Sequence, residues 1–207
     1  MANQQRLRLT SPKGVAMYPS LDKPDTKFDA AGKYNVKLRI PKKECEDFMK
    51  EIKAAFDANY ADAVEKHGDG VKKANLPFKP HEEEGKKTGD IVFNFAMKAR
   101  GTSKDGTPWE QRPKIFGPAG ELIPSSVVPK IGGGSVLKVN HHVDGWYTAI
   151  AGAGVSLRLR GVQVIELIEY GGGGKAEDFG FAAEGEALDL PDTPVVDETT
   201  EPKDADF

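Results

Sequence analysis

Four runs of this chain alternate apolar and polar residues with a period of two, which restricts them to half-buried β-strands. They are 33–40 (KYNVKLRI), 90–100 (DIVFNFAMKAR), 135–143 (SVLKVNHHV) and 155–167 (VSLRLRGVQVIEL). In the first, Tyr34, Val36, Leu38 and Ile40 form the apolar face; Pro41 then ends the strand and opens a helix, where its fixed φ costs little. Phe48, Ile52, Ala55, Phe56, Tyr60 and Ala63 recur at helical spacing across 42–67, predicting one amphipathic helix. The polar stretch 68–89, broken by Gly and Pro, reads as a loop. Asp105-Gly106 and Asp144-Gly145 are turn signals. Shorter strands are expected at 7–10, 14–18, 113–117 and 146–151, with a bend at Gly161. Many short strands around one inserted helix predict a mainly β fold, a small antiparallel barrel.

The chain has 207 residues, 38% of them hydrophobic and 29% charged: one domain with a segment left over. No apolar run approaches the roughly 20 residues of a membrane helix, and MANQQRLRLT has no signal-type apolar stretch. With a single cysteine, Cys45, no internal disulfide or Cys-rich zinc site is expected. A soluble intracellular protein without membrane association is expected.

The formal net charge of -3 conceals a division. Residues 177–207 hold 11 Asp+Glu and one Lys, hence -10, leaving residues 1–176 with 28 Lys+Arg against 21 Asp+Glu, hence +7. The acidic end is poor in large apolar side chains and cannot offset the entropy of ordering, so 175–207 is expected to be a disordered tail and 1–174 the folded domain. In the strands the charge is one-signed. Lys33, Lys37, Arg39, Lys98, Arg100, Lys138, Arg158 and Arg160 lie in 33–40, 91–100, 135–143 and 155–160, which contain no Asp or Glu. A sheet face so composed repels itself and implies an anionic partner.

If that partner is a single-stranded nucleic acid, aromatic rings should accompany the cations, because unpaired bases stack on them regardless of sequence. The candidates are Trp109, Phe116, His142, Trp146 and Tyr147, with Arg112 and Lys114 beside Trp109 in PWEQRPKIFG. Trp146 and Tyr147 are adjacent and point to opposite faces, so one belongs to the core. Each of these aromatics could equally be buried.

No catalytic constellation is legible. The run 171–175 lacks the first glycine of a phosphate loop (Glu169) and the hydroxyl that holds magnesium (Ala176). His141 and His142 face opposite ways on a regular strand and cannot share an ion. Glu82–Glu84 read as a solvated acidic run, and Cys45 sits among acids that disfavour a thiolate. No metal, cofactor or enzymatic activity is expected.

The stretch 129–174, PKIGGGSVLKVNHHVDGWYTAIAGAGVSLRLRGVQVIELIEYGGGG, resembles the C-terminal half of the core of T7-like bacteriophage single-stranded DNA-binding proteins. The shared features are an I-G-G-G-S-x-L-K-V strand, a W-x-T-A turn, a V-x-L-x-L strand and a glycine-rich exit, with a long helix after KYNVKLRIPKK and an acidic end finishing in Asp206-Phe207. The resemblance implies an OB-fold barrel with an inserted helix, and a homodimer acting in phage replication, recombination and repair in the cytoplasm of an infected bacterium. It implies binding and annealing of single-stranded DNA. It also implies that the tail, through Asp204, Asp206 and Phe207, contacts the replicative DNA polymerase and helicase-primase. An RNA-binding module and a protein-interaction module remain the rival readings.

Overall fold

Register, more than composition, organises this molecule. The computed structural model describes residues 6–27 and 29–169. In chain order these form β1 (Leu7–Thr10), β2 (Gly14–Asp25), β3 (Lys33–Pro41), a 3-10 turn (Lys42–Glu44), α1 (Glu46–His67), β4 (Phe78–Glu83) and β5 (Lys86–Lys98). There follow β6 (Arg100–Thr102), β7 (Pro108–Glu110), β8 (Lys114–Phe116), β9 (Leu122–Ile123), β10 (Val136–Thr148) and β11 (Gly152–Glu166).

Strands β10, β2, β3, β5 and β11 pair in that order, and β11 returns to β10, so five strands close a ring. Two of its contacts, β10 with β2 and β5 with β11, are two residue pairs long, which leaves the ring partly open. The chain is mainly β with one helix, as expected. The pairing is not wholly antiparallel, however: β11 runs parallel to β5 and to β8. The long connection from β5 to β11 permits this, because a parallel pair needs a crossover rather than a hairpin.

The alternating runs put Val36, Leu38, Ile40, Phe93, Phe95, Leu137, Val139, Leu157 and Leu159 inside the ring, all fully buried. Helix α1 lays Phe48, Ile52 and Phe56 onto this core. It begins one turn later than Pro41 suggests, because Lys42–Glu44 form a 3-10 turn and Cys45 takes the N-cap. Glu46 and Asp47 in its first turn and Lys66 and His67 in its last complement the helix dipole. Gly68, at φ +86, ends it.

Two expectations need correction. The stretch 68–89 is not all loop: β4 and the start of β5 form a hairpin through Glu84 (φ +49) and Gly85 (φ +76), the two positive φ values of a tight hairpin turn. Opposite charges join its arms, with Glu82 facing Lys87 and Glu83 facing Lys86. Hydrophobic alternation is absent there, so a periodicity reading passes over it. Likewise Asp144-Gly145 is no turn. Strand β10 runs through both residues to Thr148 and reverses before Gly152. Gly145 serves close approach instead: a Cβ there would collide with the amide of Asn59 on α1. That amide donates to the carbonyls of Trp146 (3.0 Å) and Gly154 (2.9 Å), pinning the helix to the β10–β11 hairpin.

Candidate nucleic-acid interface

The outward residues of β3, β5, β10 and β11 floor a groove made of adjoining hollows. The first, about 530 Å³, has Lys33, Asn94, Lys98, Trp109, Trp146 and Arg158 on its walls. Lys33 and Lys98 are register partners on β3 and β5 and so reach it side by side. The second, about 510 Å³, is lined by Arg6, Arg8, Arg112, Lys114, Phe116, Asn140, His142, Arg158 and Arg160. Met97 and Arg158 belong to both, which makes the two hollows one track. A third hollow joins the first at Pro77 and Asn94 and carries Lys37, Phe78 and Lys79.

The first two hollows together present eight cations (Lys33, Lys98, Arg158, Arg6, Arg8, Arg112, Lys114 and Arg160) and no carboxylate. Such a surface concentrates anions. Asp144 stands at its margin, 3.7 Å from Arg158 and 3.9 Å from Arg6.

The two tryptophans share the first hollow and are seated alike. Trp109 lies opposite Gly101 in the β6–β7 register, and Trp146 opposite Gly154 in the β10–β11 register. A Cβ on Gly101 would stand 2.5 Å from the Trp109 ring, and one on Gly154 would stand 2.8 Å from that of Trp146. Each indole therefore rests directly on a cross-strand glycine within the hollow.

The adjacent histidines diverge as strand geometry requires. His141 is fully buried, edge-on to Phe48 and Phe95, and its Nε2 has no hydrogen-bond partner. Burial lowers its pKa to about 4, so it is neutral at physiological pH. His142 faces the groove with Nε2 3.2 Å from Arg160 Nη1. Partial burial and then the Arg160 charge hold its pKa below the usual imidazole value. Among the described residues, no three His, Cys, Asp or Glu side chains come together as metal ligands. The Cys45 thiol is buried, and burial, then Glu46, push its pKa up.

Of the residues singled out by sequence, Lys33, Lys98, Trp109, Arg112, Lys114, His142, Trp146, Arg158 and Arg160 meet in the first two hollows, and Lys37 lines the third. Lys138 shares the outer side of β10 with Asn140 and His142 but lies outside the lining. Arg39 is engaged elsewhere, with Glu83 at 3.2 Å and Asp90 at 3.7 Å. Arg100 donates to the Ala30 carbonyl and borders a separate hollow. Tyr147 faces away from the groove, stacked on His67 with centroids 4.1 Å apart. Sequence reasoning passed over Arg6 and Arg8, although they alternate with Leu7 and Leu9 in RLRLT. Asp204, Asp206, Phe207 and the expected tail 175–207 lie outside the described residues.

Residues 13–167 match the family model described as single-stranded DNA-binding protein, bacteriophage T7. The chain belongs to this family. It is 32% identical to the single-stranded DNA-binding protein of Escherichia phage T7, over 75% of this chain and 73% of that one. To its namesake from Enterobacteria phage T3 it is 31% identical, over 88% of each. The crystal structure of the T7 single-stranded DNA-binding protein superposes with a TM-score of 0.69 at 28% identity, covering 88% of this chain and 99% of that one. The bacteriophage Enc34 single-stranded DNA-binding protein in complex with single-stranded DNA shares the fold, with a TM-score of 0.57 at 18% identity over 80% and 89% of the two chains. The matched span of the T7-family model contains both tryptophans, their glycine seats and every lining cation except Arg6 and Arg8. No helix among the described residues is long and apolar enough to cross a membrane.

Proposed function

We propose that this T7-family chain binds single-stranded DNA without reading its sequence. One observation carries the reading: eight cations and no carboxylate line two joined hollows, the first of which also holds two glycine-seated indoles. The cations release counterions from the phosphate backbone, while the indoles offer faces to bases of any identity. Duplex DNA hides its base faces in the stack, so the indoles favour single strands. The names of the phage relatives support the same assignment.

The finer assignments belong to the same proposal: a binding domain over 1–174, built on an OB-type barrel, that protects and anneals single strands as a homodimer. It has no catalytic role and works in phage DNA replication and recombination in the cytoplasm of the infected bacterium. The segment 177–207, at -10, is a tethered polyanion that competes with DNA for the groove and, once displaced, contacts the replicative polymerase and helicase-primase through Asp204, Asp206 and Phe207.

A titration of the full chain with poly-dT across a salt series tests the core reading. Affinity should fall with salt at a log–log slope of about 0.7 per phosphate contacted. Equal affinity for duplex DNA or RNA competitors at fixed salt would overturn it.

A further inference from the structure

Strand β2 carries one residue too many for its partner. Between the pairs Met17–Lys37 and Ser20–Asn35, three steps along β2 face two along β3. Tyr18 occupies this bulge with φ +48, a left-handed conformation uncommon for a residue with a side chain. Alternation from the buried Ala16 would turn Tyr18 toward the core. It is instead 74% exposed, among the most open large side chains in the described residues. Bulges re-aim side chains, and a strained backbone persists only where its surroundings enforce it. Here the enforced result is an aromatic ring presented to solvent.

The ring is not isolated from the groove. Lys37 Nζ lies 5.6 Å from its centroid, and Lys37 also lines the third hollow, which joins the tryptophan-walled one at Pro77 and Asn94. That third hollow, too, contains no carboxylate. A single strand lying along the track therefore meets Trp109 and Trp146 first and Lys37 beyond them. Tyr18 lies outside the lining of the three hollows but stands beside Lys37, with its ring open to solvent.

We propose that Tyr18 is a base-stacking platform in an outlying DNA subsite, with Lys37 contacting the adjoining phosphate. The proposal rests on the single-stranded DNA reading above. A cation beside an open aromatic face suits a nucleotide, base on ring and phosphate on ammonium. Only strands long enough to extend past the tryptophans engage this subsite, so its contribution depends on length.

The test is fluorescence anisotropy of the full chain with oligothymidines of increasing length at fixed salt, comparing wild type with Tyr18→Ala, Tyr18→Phe and Tyr18→Gly. Short oligomers should bind all four alike. Beyond a threshold length, Tyr18→Ala should bind about fivefold or more weakly, with an unchanged salt slope, while Tyr18→Phe matches wild type. Tyr18→Gly relieves the left-handed strain, so it should melt no lower than wild type yet bind long oligomers as weakly as Tyr18→Ala. An oligomer carrying 5-iododeoxyuridine should cross-link to Tyr18 on irradiation. Wild-type affinity of the Ala and Gly variants at every length would overturn the subsite, as would a loss that is independent of length and accompanied by a lower melting temperature. Failure of wild type to bind any oligothymidine would overturn the single-strand reading itself, and the subsite with it.

Discussion

Asp144 Oδ2 lies 3.7 Å from Arg158 Nη1, and Arg158 is the cation that the two principal hollows share. The carboxylate holds this guanidinium and that of Arg6 in the absence of DNA, and it repels an arriving phosphate. Asp144→Asn keeps the shape and removes the charge. It should tighten oligothymidine binding about two- to fivefold at low salt, the scale of a partly exposed ion pair. Titration of the variant at two salt concentrations checks this, since the gain should shrink as salt rises.

Cations and indoles should separate in the salt dependence. Arg160→Ala should make the slope of log affinity against log salt shallower by about 0.7. Trp109→Ala should lower affinity by about 1–3 kcal/mol at every salt concentration and leave the slope alone. Tryptophan fluorescence should fall on addition of oligothymidine in wild type, and by less in Trp109→Ala.

The neutral, buried His141 predicts acid sensitivity. Its folded pKa of about 4 lies below the ordinary 6.5, so the unfolded chain binds the extra proton first as pH falls. Its contribution is complete above about pH 6.5 and declines toward pH 4, where the loss approaches about 3 kcal/mol. Urea unfolding of wild type and His141→Leu between pH 7 and pH 4.5 should show the variant losing less stability over that window.

The acidic segment gives an expectation independent of any groove residue. If the proposed competition holds, deleting 177–207, a segment of charge -10, should tighten binding to short oligothymidines, most strongly at low salt. Unchanged affinity in the shortened chain would dismiss the competition while leaving the groove reading intact.

What could be read from sequence followed the physics of each segment. Strands β3, β5, β10 and β11 were legible because each has one face in the core, where alternation is enforced. The same logic located Lys33, Lys98, Arg158 and Arg160 on the opposite side, and the groove is there. It failed for Arg39, because the carboxylates of Glu83 and Asp90 come from a hairpin whose arms are joined by charge and which periodicity does not register. It failed for Asp144-Gly145 because glycine has two uses, reversing a chain and admitting a neighbour; here the neighbour is Asn59, eighty-odd residues away in sequence. Trp146 and Tyr147 do diverge, one to the groove and one onto His67 of α1, and alternation alone does not say which goes where. Tyr18 was invisible because a bulge changes the phase of alternation without leaving a mark in composition.

The segment after α1 is laced to the last hairpin by two backbone hydrogen bonds, Ala153 N to Lys72 O and Ala74 N to Ala153 O, each 2.9 Å. Asn59 adds its two bonds to carbonyls of the same hairpin. On a ribosome, the excursion of β3 into the helix and back is finished long before residues 146–154 are made. During that interval Phe48 can already meet Phe93 of β5, but the part of the core that β10 and β11 supply to α1 is missing, and the stripe of Phe48, Ile52 and Phe56 is only partly covered. Completion of the core therefore waits on the β10–β11 hairpin, and a nascent chain halted short of residue 155 should be captured by chaperones and cut by proteases more readily than a completed one.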